Sequence, residues 1–304
     1  MLLLPLIAIK DSPKAITTIN SVSKIPANIS SDYFRILNCD TGEIEKIKAD
    51  EYIFGVVAAE MPASYETEAL KAQAVAAYTF SCYKRNINQN LDYDLSTDYK
   101  TYQSYITKEA ARERWGENAD LYEEKIEKAV KSVSGYILTY QNKPALAVYH
   151  AISSGKTESC KNVWGKDYPY LQSVSSEYDK LSPDYISVAE FTVQELEASL
   201  KEKIEFSGDA KNYFGKSTKT SAGTVKETAV CNQKIKGSEV RSLLNLRSSA
   251  FDVSYTNEKF VFTVYGYGHG VGMSQFGANY LAKQGATFKE ILNTYYNGCK
   301  LKKI

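Results

Sequence analysis

Residues 51–84, EYIFGVVAAEMPASYETEALKAQAVAAYTFSCYK, decide how this chain is read. Tyr52, Ile53, Val56, Val57 and Ala59 recur at helical spacing, which predicts a helix burying one face. Pro62 disfavours the α region for Met61, so the helix ends near Glu60 or Met61. A second, alanine-rich helix is predicted over residues 66–84, where Ala69, Leu70, Ala74, Ala76 and Ala77 let a neighbouring element approach closely. Glu60 stands at the break between the two. There it faces the negative end of a helix macrodipole and is surrounded by Val57, Ala58, Ala59, Met61 and Pro62. Both effects disfavour the carboxylate and raise its pKa. A carboxyl group kept protonated near neutral pH is what a general acid needs. The alternative is a glutamate that simply ends a helix in water.

Upstream, residues 33–37 and 43–48 alternate weakly around Asp40-Thr41-Gly42, which predicts a hairpin leading into the first helix. The apolar run MLLLPLIAI is shorter than the roughly 20 residues a bilayer requires. It is read as the remnant of a membrane anchor, with a polar linker up to residue 30.

Downstream, DYDLSTDYKTYQSYI reads as irregular chain or short strands, and residues 107–115 and 121–132 as helices. Residues 136–140 and 145–150 are expected to pair as strands through Gln141-Asn142-Lys143-Pro144. The second runs through His150 into AISSGKTESCKNVWG, where the Ser153-Ser154-Gly155 turn can present amides and hydroxyls to a ligand or serve structure alone. Residues 187–245 look like an inserted, more helical subregion, with a capping box from Thr192 to Glu195. Two alternating runs, 251–255 and 260–265, then lead into GYGHGVGMSQFGANYLAKQG. Gly266, Gly268, Gly270 and Gly272 surround His269 before a helix starting at Ser274. Their spacing fits neither a P-loop nor a dinucleotide-binding fingerprint.

A net charge of +1 over 304 residues gives no electrostatic footprint for nucleic acid or an anionic membrane. The 24 tyrosines suit polar ligands such as sugars, and equally suit ordinary β-sheet. Five scattered cysteines without a CxxC exclude a zinc ribbon and a thioredoxin motif, while one or two disulfides would be compatible with an exported chain. Short strands mixed with helices, without regular βαβ alternation, predict an α+β fold.

GVVAAEMPASYETEALKAQAVAA, HAISSGKTE and GYGHGVGMSQFGANYLAKQGATFKEILNTYYNG resemble, in order, the motifs of the stage II sporulation protein D family, which includes the amidase enhancers. The resemblance covers residues 40–180 and 236–299, and implies one catalytic domain over residues 31–304. It implies a peptidoglycan lytic transglycosylase of spore engulfment that cuts the β-1,4 bond between N-acetylmuramic acid and N-acetylglucosamine. The glutamate of the AAEMP motif, here Glu60, is then the catalytic acid. Gln73, Ser153, Ser154, His269, Ser274 and Gln275 are expected to line the sugar groove. Implied partners are an amidase, stage II sporulation protein P, which supplies peptide-free glycan, and a membrane protein, stage II sporulation protein M. The implied location is the extracytoplasmic face of the membrane, on a single N-terminal anchor.

The family reads Ala-Arg-Thr-Tyr after AQAVA, whereas this chain has Ala77-Tyr78-Thr79-Phe80. Some clostridial members carry zinc. His150 and Cys160 are the ligands this chain offers, and a four-ligand site needs more. No cofactor is required by the expected chemistry. Two other readings compete: a non-catalytic glycan-binding enhancer of an amidase, and a His-Cys hydrolase using Cys160 with His150 or His269.

Overall fold

The computed structural model describes residues 33–304. The expected anchor remnant and its linker lie outside the described residues. Among the described residues no helix is long and apolar enough to cross a membrane. Helices and short strands in several small sheets make the fold α+β. The chain divides into two compact units, one formed by the described residues up to Tyr149 together with Ala278–Ile304, the other by His150–Gly277. The second unit is wider than the subregion 187–245 expected from sequence.

In the first unit, β1 (Tyr33–Leu37) and β2 (Ile44–Lys48) form the expected antiparallel hairpin, and β3 (Leu95–Ser96) adds a short parallel strand beside β1. Helix α1 (Ala49–Glu60) follows directly. It stops where expected, because Met61 before Pro62 is extended, at φ −126° and ψ 138°. The expectation of a single buried face is corrected: every residue from Tyr52 to Glu60 is buried. Helix α2 (Thr67–Ile87) packs against α1, α3 (Ala119–Ser132), β4 (Tyr136–Tyr140) and the C-terminal helix Phe288–Tyr295. Such crowding is sterically allowed because Ala69, Ala72, Ala74, Ala76 and Ala77 carry only a methyl group. Thr79 accepts a hydrogen bond from the Leu138 amide at 3.0 Å, which ties α2 to β4.

Residues 145–150 do not run as a long strand beside β4. Only Lys143–Pro144 pairs with it, through the tight turn Gln141-Asn142, whose φ values of 50° and 61° suit a two-residue hairpin. Past Pro144 the Ala145 N–H still donates to Leu138 O of β4 at 2.9 Å, and the run Ala145–Val148 is buried outside any strand, while Lys300–Lys303 pairs with the other edge of β4.

The second unit has two three-stranded antiparallel sheets. In one, Lys259–Tyr265 lies between Phe251–Thr256 and Ile186–Thr192; in the other, Val225–Val230 lies between Phe214–Lys219 and Gln233–Lys236. Region 187–245 is therefore more strand than helix, which corrects the expectation. Its helices are Val193–Leu200, begun by the expected Thr192–Glu195 capping box, and Gly237–Leu243. The core joins Leu196 and Leu200 of the first helix to Phe251, Phe260 and Phe262 of the sheet. Burial alternates along Lys259–Tyr265 as its period-2 pattern predicts, and the Cys231-Asn232 turn closes the second hairpin with both φ values positive.

Candidate active site

Glu60 is the last residue of α1 and is 1% exposed. Its Oε1 accepts the backbone N–H of Ser104 at 2.7 Å, and the Ser104 hydroxyl also bonds the carboxyl. Its Oε2 is buried with no hydrogen-bond partner among the described residues. Burial pushes the Glu60 pKa up to about 8, against the opposing pull of the two Ser104 bonds. The acid is thus neutral at pH 7, as the apolar sequence around it predicts.

The groups around Glu60 come from distant parts of the first unit. Segment 102–107, irregular in backbone, lies along α1. Ile106 N–H approaches Gly55 O at 3.4 Å, and a Cβ built on Gly55 would stand 2.4 Å from Ile106 O and from the Tyr105 ring. Only glycine admits that approach. The Tyr105 ring stacks on Tyr52, with centroids 5.3 Å apart and planes 16° off parallel. Beside Ser104, the Gln103 side chain donates to Ser81 Oγ at 3.1 Å and accepts the Tyr149 hydroxyl at 2.8 Å. Gln73 of α2 is wholly buried and hydrogen-bonds Tyr149. Tyr52 and Tyr149 are buried and feel the Glu60 charge, and burial holds both phenols neutral. Ser104, Gln103 and Tyr149 escape sequence reasoning. The one signal for Gln103 and Ser104 is the aromatic and polar block DYKTYQSY, which periodicity leaves unassigned.

The other candidates belong to the second unit. Ser153 and Ser274 meet at a residue the sequence analysis does not single out, Asp179. One Asp179 oxygen accepts the Ser153 N–H and the other the Ser274 hydroxyl, each at 2.8 Å. Burial pushes Asp179 up to about 6. Ser274 Oγ also accepts Gly277 N–H at 3.1 Å, and Ser154 donates to Ala222 O at 2.5 Å. These serine hydroxyls therefore bond inside the protein. Gln275 is buried beside Ser274.

His150 and His269 are joined through Val271. The Val271 N–H donates to His269 Nδ1 at 3.0 Å, and His150 Nδ1 lies 3.1 Å from Val271 O. His269 therefore has its proton on Nε2, and His150 has its proton on Nδ1. Burial lowers the His150 pKa to about 4, so the ring is neutral. The His269 ring is 9% exposed and stands 4.8 Å from Trp164, between centroids. Gly268, at φ 112° and with its Cβ position 2.8 Å from His150 Cβ, lets the glycine loop lie this close.

Among the described residues no three His, Cys, Asp or Glu side chains gather as a metal site needs. All five cysteines are free thiols. Burial pushes Cys160 up to about 11, which removes the thiolate a cysteine hydrolase would need. Tyr78, in the place of the family arginine, sets its ring edge against Phe34, 6.0 Å between centroids.

The buried acid at the end of α1 lies within the region that known proteins share with this one. The stage II sporulation protein family model matches residues 38–140, which include Glu60, Gln73 and Ser104. Stage II sporulation protein D of Bacillus subtilis is 39% identical over 262 residues, spanning 85% of this chain and 75% of the relative. The Bacillus amyloliquefaciens protein of that name is also 39% identical, over 84% of this chain and 74% of its own. The chain belongs to the stage II sporulation protein D family. The amidase enhancer of Bacillus subtilis is 27% identical, over 81% of this chain and 40% of that protein.

Proposed function

We propose that this protein is a peptidoglycan lytic transglycosylase of sporulation engulfment, with Glu60 as its single acid and base. The observation that carries the reading is Glu60 itself: a neutral, buried carboxyl with one oxygen held by Ser104 and the other unpartnered. The proton of Glu60 passes to the glycosidic oxygen as the β-1,4 bond between N-acetylmuramic acid and N-acetylglucosamine breaks. The muramic acid C6 hydroxyl then attacks C1 and gives its proton to the Glu60 carboxylate, which restores the acid. The product ends in a 1,6-anhydro ring. No water attacks, so the second carboxylate of a hydrolysing glycosidase has no task. With Glu60 1% exposed, a glycosidic oxygen reaches Oε2 only after the groups that cover it move aside.

In this reading Gln73, Ser153, Ser154, His269, Ser274 and Gln275 serve substrate binding. Ser153 and Ser274 do so by holding their loops through Asp179, while His269, and Ser154 once its bond to Ala222 O opens, meet sugar hydroxyls or acetamido groups. The resemblance supports peptide-free glycan as substrate, stage II sporulation proteins P and M as partners, and an N-terminal membrane anchor facing the extracytoplasmic side.

A second reading, a non-catalytic enhancer that presents glycan to an amidase, draws support from the likeness to a protein named amidase enhancer. Peptide-free glycan strands incubated with the wild type and with Glu60→Gln separate the two. Anhydromuramyl products, read by mass spectrometry, are expected from the wild type alone. Equal product from both proteins, or none from either, overturns the enzyme.

A further inference from the structure

We propose that Ser104 is a positioning residue for Glu60: its N–H and hydroxyl hold the carboxyl so that Oε2, not Oε1, carries and delivers the proton. The inference rests on Glu60 being the acid. An N–H can only donate, so the Oε1 lone pair 2.7 Å away is committed to it. The carboxyl proton then resides on the other oxygen, which is buried and without a partner among the described residues. The clamp is set in advance by its own neighbours. Tyr105 stacks on Tyr52, Ile106 abuts Gly55, and Gln103 is held by Tyr149. The ionisable groups facing Glu60 are the phenols of Tyr52 and Tyr149, both neutral. Arg114 of the helix Lys108–Trp115 donates to Ala58 O at 3.5 Å, two residues before Glu60. With no direct cation partner among the described residues, the balance between carboxyl and carboxylate is left to Ser104 and to burial.

Both Ser104 donors favour the carboxylate, so their loss moves the Glu60 ionisation upward. The test reads that ionisation from the pH dependence of the stability difference between Glu60 and Glu60→Gln proteins. It is measured with Ser104 intact, with Ser104→Ala, which loses the hydroxyl, and with Ser104→Pro, which also loses the N–H. An upward move of about one pH unit is expected for alanine and more for proline. Ser104→Thr, keeping both donors, is expected to restore the wild-type midpoint. A midpoint unmoved in the alanine protein and in any proline protein that folds overturns the proposal. The alkaline limb of glycan cleavage by Ser104→Ala is expected to move in parallel. A midpoint that moves while no form cleaves glycan supports the clamp and overturns the transglycosylase reading, so the two failures are distinguishable.

Discussion

As pH rises from 5 to 8, Glu60→Gln should gain stability relative to the wild type. The folded-state pKa of Glu60, about 8, lies above its ordinary value of 4.5. The native state therefore holds the proton more tightly than the unfolded chain does. Its contribution to stability is fully present below pH 4.5 and is lost as pH rises through 8. Between pH 5 and pH 8 that loss amounts to about 3–4 kcal/mol at 1.36 kcal/mol per pH unit. Glutamine can still accept the Ser104 N–H, and its own buried N–H groups add an offset that does not vary with pH. The difference in stability between variant and wild type should thus climb by about 3–4 kcal/mol across this interval, roughly 6–8 °C in Tm at about 2 °C per kcal/mol. Thermal unfolding of both proteins at half-unit pH steps is the assay. A flat difference across pH 5–8 would show that Glu60 ionises at an ordinary pKa, and the general-acid argument would lose its physical basis.

Three further outcomes follow from other contacts. Gly55→Ala puts a methyl group 2.4 Å from a backbone oxygen, Ile106 O, and should cost about 1–3 kcal/mol in denaturant unfolding; an unchanged midpoint would mean that segment 102–107 does not press on α1. Asp179→Ala leaves the Ser153 N–H and the Ser274 hydroxyl without their acceptor, and should destabilise by about 2–4 kcal/mol. His150 has its folded pKa lowered to about 4 from 6.5, so its contribution is present above pH 6.5 and is lost as pH falls toward 4. That loss, about 3 kcal/mol, should vanish from the acid unfolding profile of His150→Gln.

Features set by local backbone rules were legible in the sequence. Pro62 ends α1 at Glu60, the Thr192–Glu195 box begins its helix, and Asn257-Glu258 closes its hairpin with both φ values positive. The strands of region 187–245 are not legible in its sequence, because only packing with Phe260 and Phe262 shows which strand faces are buried. The end of strand pairing after Pro144 is illegible for a related reason. An apolar run such as Ala145–Val148 signals burial, but not whether its backbone pairs as a strand.

The sequence by itself determined where the acid stands: residues 60–62 stop a helix with a carboxyl among apolar neighbours, and that depends only on adjacent residues. Tertiary structure decided what that carboxyl is. Its burial on every side and its Ser104 donors, 44 residues away, come from chain segments whose approach no local pattern encodes. Desolvation is a property of the whole surrounding volume, so the proton on Glu60 is a consequence of the fold.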